Sequence, residues 1–210
     1  MPSFEHELLV GLFRRNPHIA LELLRGCAVL PTAWDHLLVS EANLTRLVPT
    51  VFLADLVILF RDRARRPVFG LIVEVQRYID RDKLLSWPSY VANLRSEQQC
   101  PTMLLVVAPD PVVAAWARQS IELGHPEFQL TPIVLGPDEI PHVRDPTAAS
   151  DLPELSMLSA LTHRDLHLAK IALHAIQHVP NDQRRVYLQA IQQTFAGDDI
   201  EDLGGSDERS

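Results

Sequence analysis

Two carboxylates sit where apolar side chains would be expected. Asp55 interrupts the run Val51-Phe52-Leu53-Ala54-Asp55-Leu56-Val57-Ile58-Leu59-Phe60, and Glu74 and Gln76 close a second run, Val68-Phe69-Gly70-Leu71-Ile72-Val73-Glu74-Val75-Gln76. A buried carboxylate costs free energy unless it is paired, protonated or bound to a cation. The two runs flank a turn-like, basic segment from Arg61 to Pro67. An antiparallel hairpin centred between Ala64 and Arg65 sets Asp55 opposite Glu74, and facing residues project on the same side of a sheet. Gln76, two residues on, shares that side. Asp55 and Glu74, with the backbone carbonyl of Val75, offer hard oxygen ligands suited to Mg²⁺ or Mn²⁺. Such an ion can lower the pKa of water and neutralise charge on a phosphodiester. The competing reading places both acids on the solvent face of a half-exposed sheet. Ile72 shares the face of Glu74 while Val73 and Val75 fill the other, which marks a strand apolar on both sides and therefore buried.

Other polar clusters carry less chemistry. His163, His167, His174 and His178 fall on one stripe if residues 163–178 form a continuous helix. Paired histidines one turn apart can hold zinc. Apolar residues fill the opposite face and no Cys or carboxylate completes a tetrahedral set, so a solvated face is expected. Trp34, Trp87, Trp116, Tyr78 and Tyr90 do not alternate with basic residues as a single-strand stacking series would, and core packing is expected for them.

The elements that must position the acids follow from periodicity and punctuation. Residues 4–14 are helical in pattern, and Pro17 suits the first turn of a second helix that Gly26 ends. A short strand is expected near 36–39 or 44–48, followed by the two acid-bearing strands. Residues 80–99 read as a helix with a kink or late start at Pro88. A buried strand at 101–107 then implies a parallel crossover. Asp110 should cap a helix over 111–123, and 131–135 is a further strand. Beyond 151 the strand signals stop: 152–161, 165–179 and 183–195 read as packed helices, with Asp151, Thr162 and Asn181 as start signals. The expected organisation is an α/β core over 1–150, a C-terminal helical appendage over 151–196 and a disordered acidic tail over 197–210.

Composition bounds the function. The chain has 210 residues, 47% hydrophobic and 22% charged, which suits an ordinary globular protein. Its two cysteines, Cys27 and Cys100, form no disulfide framework or zinc spacing. With no basic stretch preceding an apolar one at the N-terminus and no membrane-length run, a soluble cytoplasmic protein without membrane partners is expected. The net charge of −8 argues against general nucleic-acid affinity. Yet Asp55 to Arg95 holds eight bases against five acids, while the last thirteen residues hold six acids and one base. The basic stretch from Arg61 to Arg66 reads equally as a solvated hairpin tip or a phosphate contact.

Asp55 on one strand and Glu74-Val75-Gln76 on the next resemble the signature of the PD-(D/E)XK nuclease superfamily, an Asp followed by Glu-X-Lys. Within it the chain looks most like the Rpn-type, transposase-associated nucleases and their relatives, several of which carry Gln in place of the Lys. The resemblance spans about residues 4–161, and departs at Ala54, where the signature has Pro, and at Gln76. It implies a restriction-endonuclease-like mixed sheet flanked by helices and Mg²⁺- or Mn²⁺-dependent hydrolysis of DNA. It assigns Asp55, Glu74 and Gln76 to catalysis, with Asp55, Glu74 and the Val75 carbonyl as metal ligands. Lys83, early in the next helix, can point back and supply the missing cation, and Gln76→Lys would restore it in place. Glu7 on the first helix stands where related nucleases place an extra acid, although an acid in a first helical turn also suits the helix dipole. The alternative is a nuclease-fold module with a weakened site that binds nucleic acid, a protein partner or a second copy.

Overall fold

The computed structural model describes residues 4–25, 34–40, 54–124 and 128–196. Expected features at 44–48, at Gly26 and Cys27, and in the tail over 197–210 lie outside these residues. The chain forms two compact units, one of Phe13–Glu139 and one joining Met1–Leu12 to Ile140–Ser210.

Helix α1 (Phe4–Arg15) runs across that division, and α2 (His18–Leu24) follows Pro17. The larger unit continues with β1 (His36–Ser40), β2 (Leu56–Arg61), β3 (Pro67–Val75), α3 (Lys83–Gln98), β4 (Thr102–Val107) and α4 (Pro111–Ala117). A two-residue pair, β5 (Ile121–Glu122) and β6 (Gln129–Leu130), precedes β7 (Ile133–Leu135). Strands β1-β2-β3-β4-β7 form one mixed five-stranded sheet. The first three strands are antiparallel, and β3, β4 and β7 run parallel. Every residue of β2 from Leu56 to Phe60 is buried, as are Phe69 to Val75 of β3, so both faces of the central strands are covered, as their unbroken apolar runs require.

Leu56 pairs with Val73 and Val57 with Ile72, the register that, continued one step, sets Asp55 opposite Glu74. The register slips at the hairpin end, where Arg61 pairs with Pro67. Asp55 itself stands in a bend immediately before β2, not inside the strand.

Helix α3 packs on β3 and β4. Its buried residues Trp87, Tyr90 and Leu94 join Ile72, Leu104 and Val106 of the sheet in one core. Pro88 lies inside this helix and does not end it. Asp110 caps α4, its carboxylate accepting from the Val112 and Val113 amides, but the helix stops at Ala117, short of the expected 123. Glycine is required after β7. A Cβ at Gly136 would lie 2.9 Å from the Ala114 Cβ of α4, and its amide donates to Glu139 Oε2 at 2.8 Å. Gly136→Ala is expected to lower unfolding free energy by roughly 1–3 kcal/mol through overpacking, measured by urea denaturation.

The second unit is helical: α5 (Pro146–Asp151), α6 (Pro153–His163), α7 (Leu166–Ala175) continued by a 3-10 turn (Ile176–His178), and α8 (Asn181–Thr194). It begins at Ile140, earlier than the expected 151, because the segment before α5 is tied to α6. The Ile140 carbonyl accepts from His163 Nε2 at 2.9 Å, the Val143 amide donates to Ser159 Oγ at 3.0 Å, and the His142 and His163 rings stack. Asp165, not Thr162, caps α7, accepting from the His167 and Leu168 amides. Helix α6 is capped by Leu152, without a side-chain bond, in place of Asp151. No described helix is long and apolar enough to cross a membrane.

Candidate functional site

The carboxyl end of β3 draws together three of the residues singled out in the sequence. Glu74 is 0% exposed, and its Oε2 accepts from Lys83 Nζ at 2.6 Å. The Val75 amide donates to Asp55 Oδ2 at 2.8 Å, which fixes the Asp55 carboxylate against the end of β3. This is the end of a parallel strand pair, where open α/β sheets commonly place ligands.

Lys83 reaches Glu74 because it opens α3. The Lys83, Leu84 and Leu85 amides donate to Asp80, Arg81 and Asp82, a tight first turn. Helical side chains lean toward the N-terminus, so a residue in the first turn leans back past the helix start. An ammonium here opposes the helix dipole, and the Glu74 contact offsets that cost. Lys83, Trp87, Tyr90 and Leu94 occupy one stripe at spacings of four, three and four residues, and the last three are buried. That spacing was the available signal that Lys83 faces the sheet, and that Trp87 and Tyr90 border the site. The Lys83 ammonium also lies 5.8 Å from the centre of the Tyr90 ring.

The electrostatics follow from this packing. Burial pushes the Glu74 carboxyl above its ordinary range and the Asp55 charge adds to the rise, against the opposing pull of Lys83. Burial alone would depress the Lys83 ammonium. The Glu74 carboxylate, by charge and hydrogen bond, with smaller contributions from Tyr90 and Asp55, outweighs it and holds the ammonium high. The Tyr90 phenol is raised by burial first and by the Glu74 charge second. The Trp87 indole also acts on Glu74 as a side-chain hydrogen-bond donor, a smaller contribution that lowers the carboxyl. Two carboxylates close enough for the Asp55 charge to raise Glu74 are compatible with a hard cation, which Asp55, Glu74 and the Val75 carbonyl would hold. No group of three or more His, Cys, Asp or Glu side chains among the described residues is arranged to hold a metal.

Gln76 and Glu7 make contacts of their own. Gln76 is buried, and its side-chain amide donates to the Tyr78 carbonyl at 2.7 Å. It thus anchors the loop after β3. Glu7 belongs to the helical unit, exposed on α1 and 3.9 Å from His6 Nδ1. The histidine stripe is broken, because Arg164 turns into the left-handed region at φ 49° and separates His163 on α6 from His167 and His174 on α7. The aromatics divide: Trp87 is buried against Trp116, whereas Tyr78 is 69% exposed rather than packed.

The basic hairpin tip is far from the acids. Asp55 and Glu74 occupy the open end of the β2–β3 hairpin, and the six steps along the strand from Asp55 to Arg61 span about 20 Å. At the tip, Arg66 pairs with Asp62 at 2.7 Å, and Arg63 lies 3.4 Å from Asp35. These arginines do not border the acidic site.

The chain matches no known family model, no curated protein and no solved structure.

Proposed function

We propose that the larger unit is a restriction-endonuclease-like domain of the PD-(D/E)XK kind that hydrolyses DNA phosphodiesters with Mg²⁺ or Mn²⁺. The observation that carries this reading is the meeting of Asp55, Glu74 and Lys83 at the carboxyl end of β3. Asp55 and Glu74 would hold the ion, which would supply Lewis-acid activation of water and charge neutralisation at the phosphodiester. In this reading Lys83 takes the part of the signature Lys, delivering from the helix the positive charge that Gln76 lacks. Its ammonium opposes the rise that burial imposes on Glu74 and faces the negative charge that develops at phosphorus.

A second reading is favoured by one feature: Glu74 is wholly covered with Lys83 seated on it. In that reading the ion pair replaces the metal, and the domain binds nucleic acid or a protein without turnover.

Metal binding separates the two. Because an ion that binds only the folded state stabilises it by about 2.7 kcal/mol at a ~100-fold excess over Kd, Mn²⁺ should raise the melting temperature of the wild type. The shift should vanish in Glu74→Ala. A shift that persists in that variant would move the ion elsewhere and defeat the reading, and no shift in the wild type would leave the binding module.

A further inference from the structure

Helix α3 carries a second stripe beside the one that meets the sheet. Pro88, Val91, Ala92, Arg95, Ser96 and Gln99 recur at the three- and four-residue intervals of one helix face. Between this stripe and the β5–β6 pair lies a cavity of about 740 Å³, within the ~300–1,000 Å³ range of small-molecule sites. Val91 and Leu130 line it and also pack against the core beneath. Leu123 and Phe128 line the side formed by the β5–β6 pair, where the Leu123 amide donates to the Phe128 carbonyl at 3.1 Å. Buried Cys100 stands at the end from which β4 departs. Among the described residues that line the cavity, Arg95 alone is charged. Its guanidinium is exposed and makes no ion pair or hydrogen bond with a described residue.

We propose that this cavity binds a small amphipathic carboxylic acid, with its apolar body against Val91, Leu123, Phe128 and Leu130 and its carboxylate on Arg95. The lining sets the ligand chemistry. Apolar walls reward a hydrocarbon or aromatic body. One uncommitted guanidinium suits one carboxylate, which it can grip with two parallel hydrogen bonds. Ser96 and Gln99, on the same stripe, offer a hydroxyl and an amide as further donors. A dianionic phosphate would call for a second cation, and no other described lining residue supplies one. The site is separate from the acids. Arg95 lies twelve residues beyond Lys83 on α3, about 18 Å along the helix axis, so the inference does not depend on the reaction at Asp55 and Glu74.

The test is isothermal titration calorimetry of the full chain with octanoate, 1-octanol and octylamine, which share one chain length and differ in head-group charge. Octanoate should bind. 1-Octanol should bind about 5-fold more weakly, the scale of an ion pair at the strong end of the exposed range, and octylamine should not bind measurably. Decanoate should bind more tightly than octanoate, by about 4-fold for each added methylene that the cavity buries. Arg95→Gln should lower octanoate to the affinity of 1-octanol and leave 1-octanol unchanged. Ala92 is exposed on the helix, so Ala92→Trp should fold normally and, by filling the cavity, remove binding of octanoate and 1-octanol alike. The proposal is overturned if 1-octanol or octylamine binds as tightly as octanoate, if no probe binds, or if Arg95→Gln leaves octanoate unaffected. Octanoate binding that survives in a folded Ala92→Trp variant places the acid elsewhere and overturns it too. So does a wild-type dimer that Ala92→Trp makes monomeric, since a second copy then covers the cavity. Should that variant not fold, the Arg95→Gln comparison alone decides.

Discussion

Glu74→Ala is expected to remove Mn²⁺-dependent nicking of supercoiled DNA, with a loss of at least about 10²-fold, the scale on which a single electrostatic group in an active site is felt. Glu74 accepts from the Lys83 ammonium and feels the Asp55 charge, so its removal would take away a proposed ligand and unseat the ammonium together. Asp55→Ala should reduce nicking comparably while also releasing the Val75 amide. DNA affinity should hold or rise in both variants, because removing a carboxylate relieves repulsion of phosphate. The expectation that Gln76→Lys restores activity changes with the structure. Lys83 already carries the positive charge, and the Gln76 amide is committed to Tyr78. A lysine there would bury a second ammonium and free the loop, so Gln76→Lys should lower nicking.

Lys83→Met should produce the largest change in stability. Breaking a buried ion pair by removing one partner costs roughly 3–5 kcal/mol when the other stays charged. The cost depends on pH. Burial and Asp55 raise the Glu74 carboxyl in the folded state, so Glu74 favours folding below its ordinary range and opposes it as pH rises through the raised value. Without Lys83 that rise is larger. The deficit of Lys83→Met relative to wild type should therefore be small in acid, where Glu74 is protonated in both, and should grow toward neutral pH. Adding Glu74→Gln to Lys83→Met should recover much of the loss, since the uncompensated charge is gone. Urea unfolding across that pH range checks all three. A deficit independent of pH would mean that Lys83 contributes through packing alone.

The hairpin register was legible because two apolar runs and one short basic turn leave few ways to pair, and burial of both faces penalises a one-residue slip. Lys83 was harder to place, since a lone lysine between Asp80 and Asp82 reads as solvated, and only its spacing to Trp87, Tyr90 and Leu94 points inward. The Gln76 bond to the Tyr78 carbonyl could not be read from the sequence, because a side-chain bond to a loop carbonyl has no periodicity. The histidine stripe assumed one helix across Arg164, whereas Asp165 offers the stronger cap two residues after His163. The unit boundary near Ile140 was hidden because the contacts that set it, His142 on His163 and Val143 on Ser159, join residues of no distinctive pattern.

The central claim, that Asp55 and Glu74 share one cation, is met most directly by a Mn²⁺-soaked crystal and its anomalous difference map. The account predicts one strong peak coordinated by both carboxylates and the Val75 carbonyl, with Lys83 drawn off Glu74 Oε2 or sharing that carboxylate. A map without a peak there, in which Lys83 keeps its contact with Glu74, or a peak held by other residues, would contradict it.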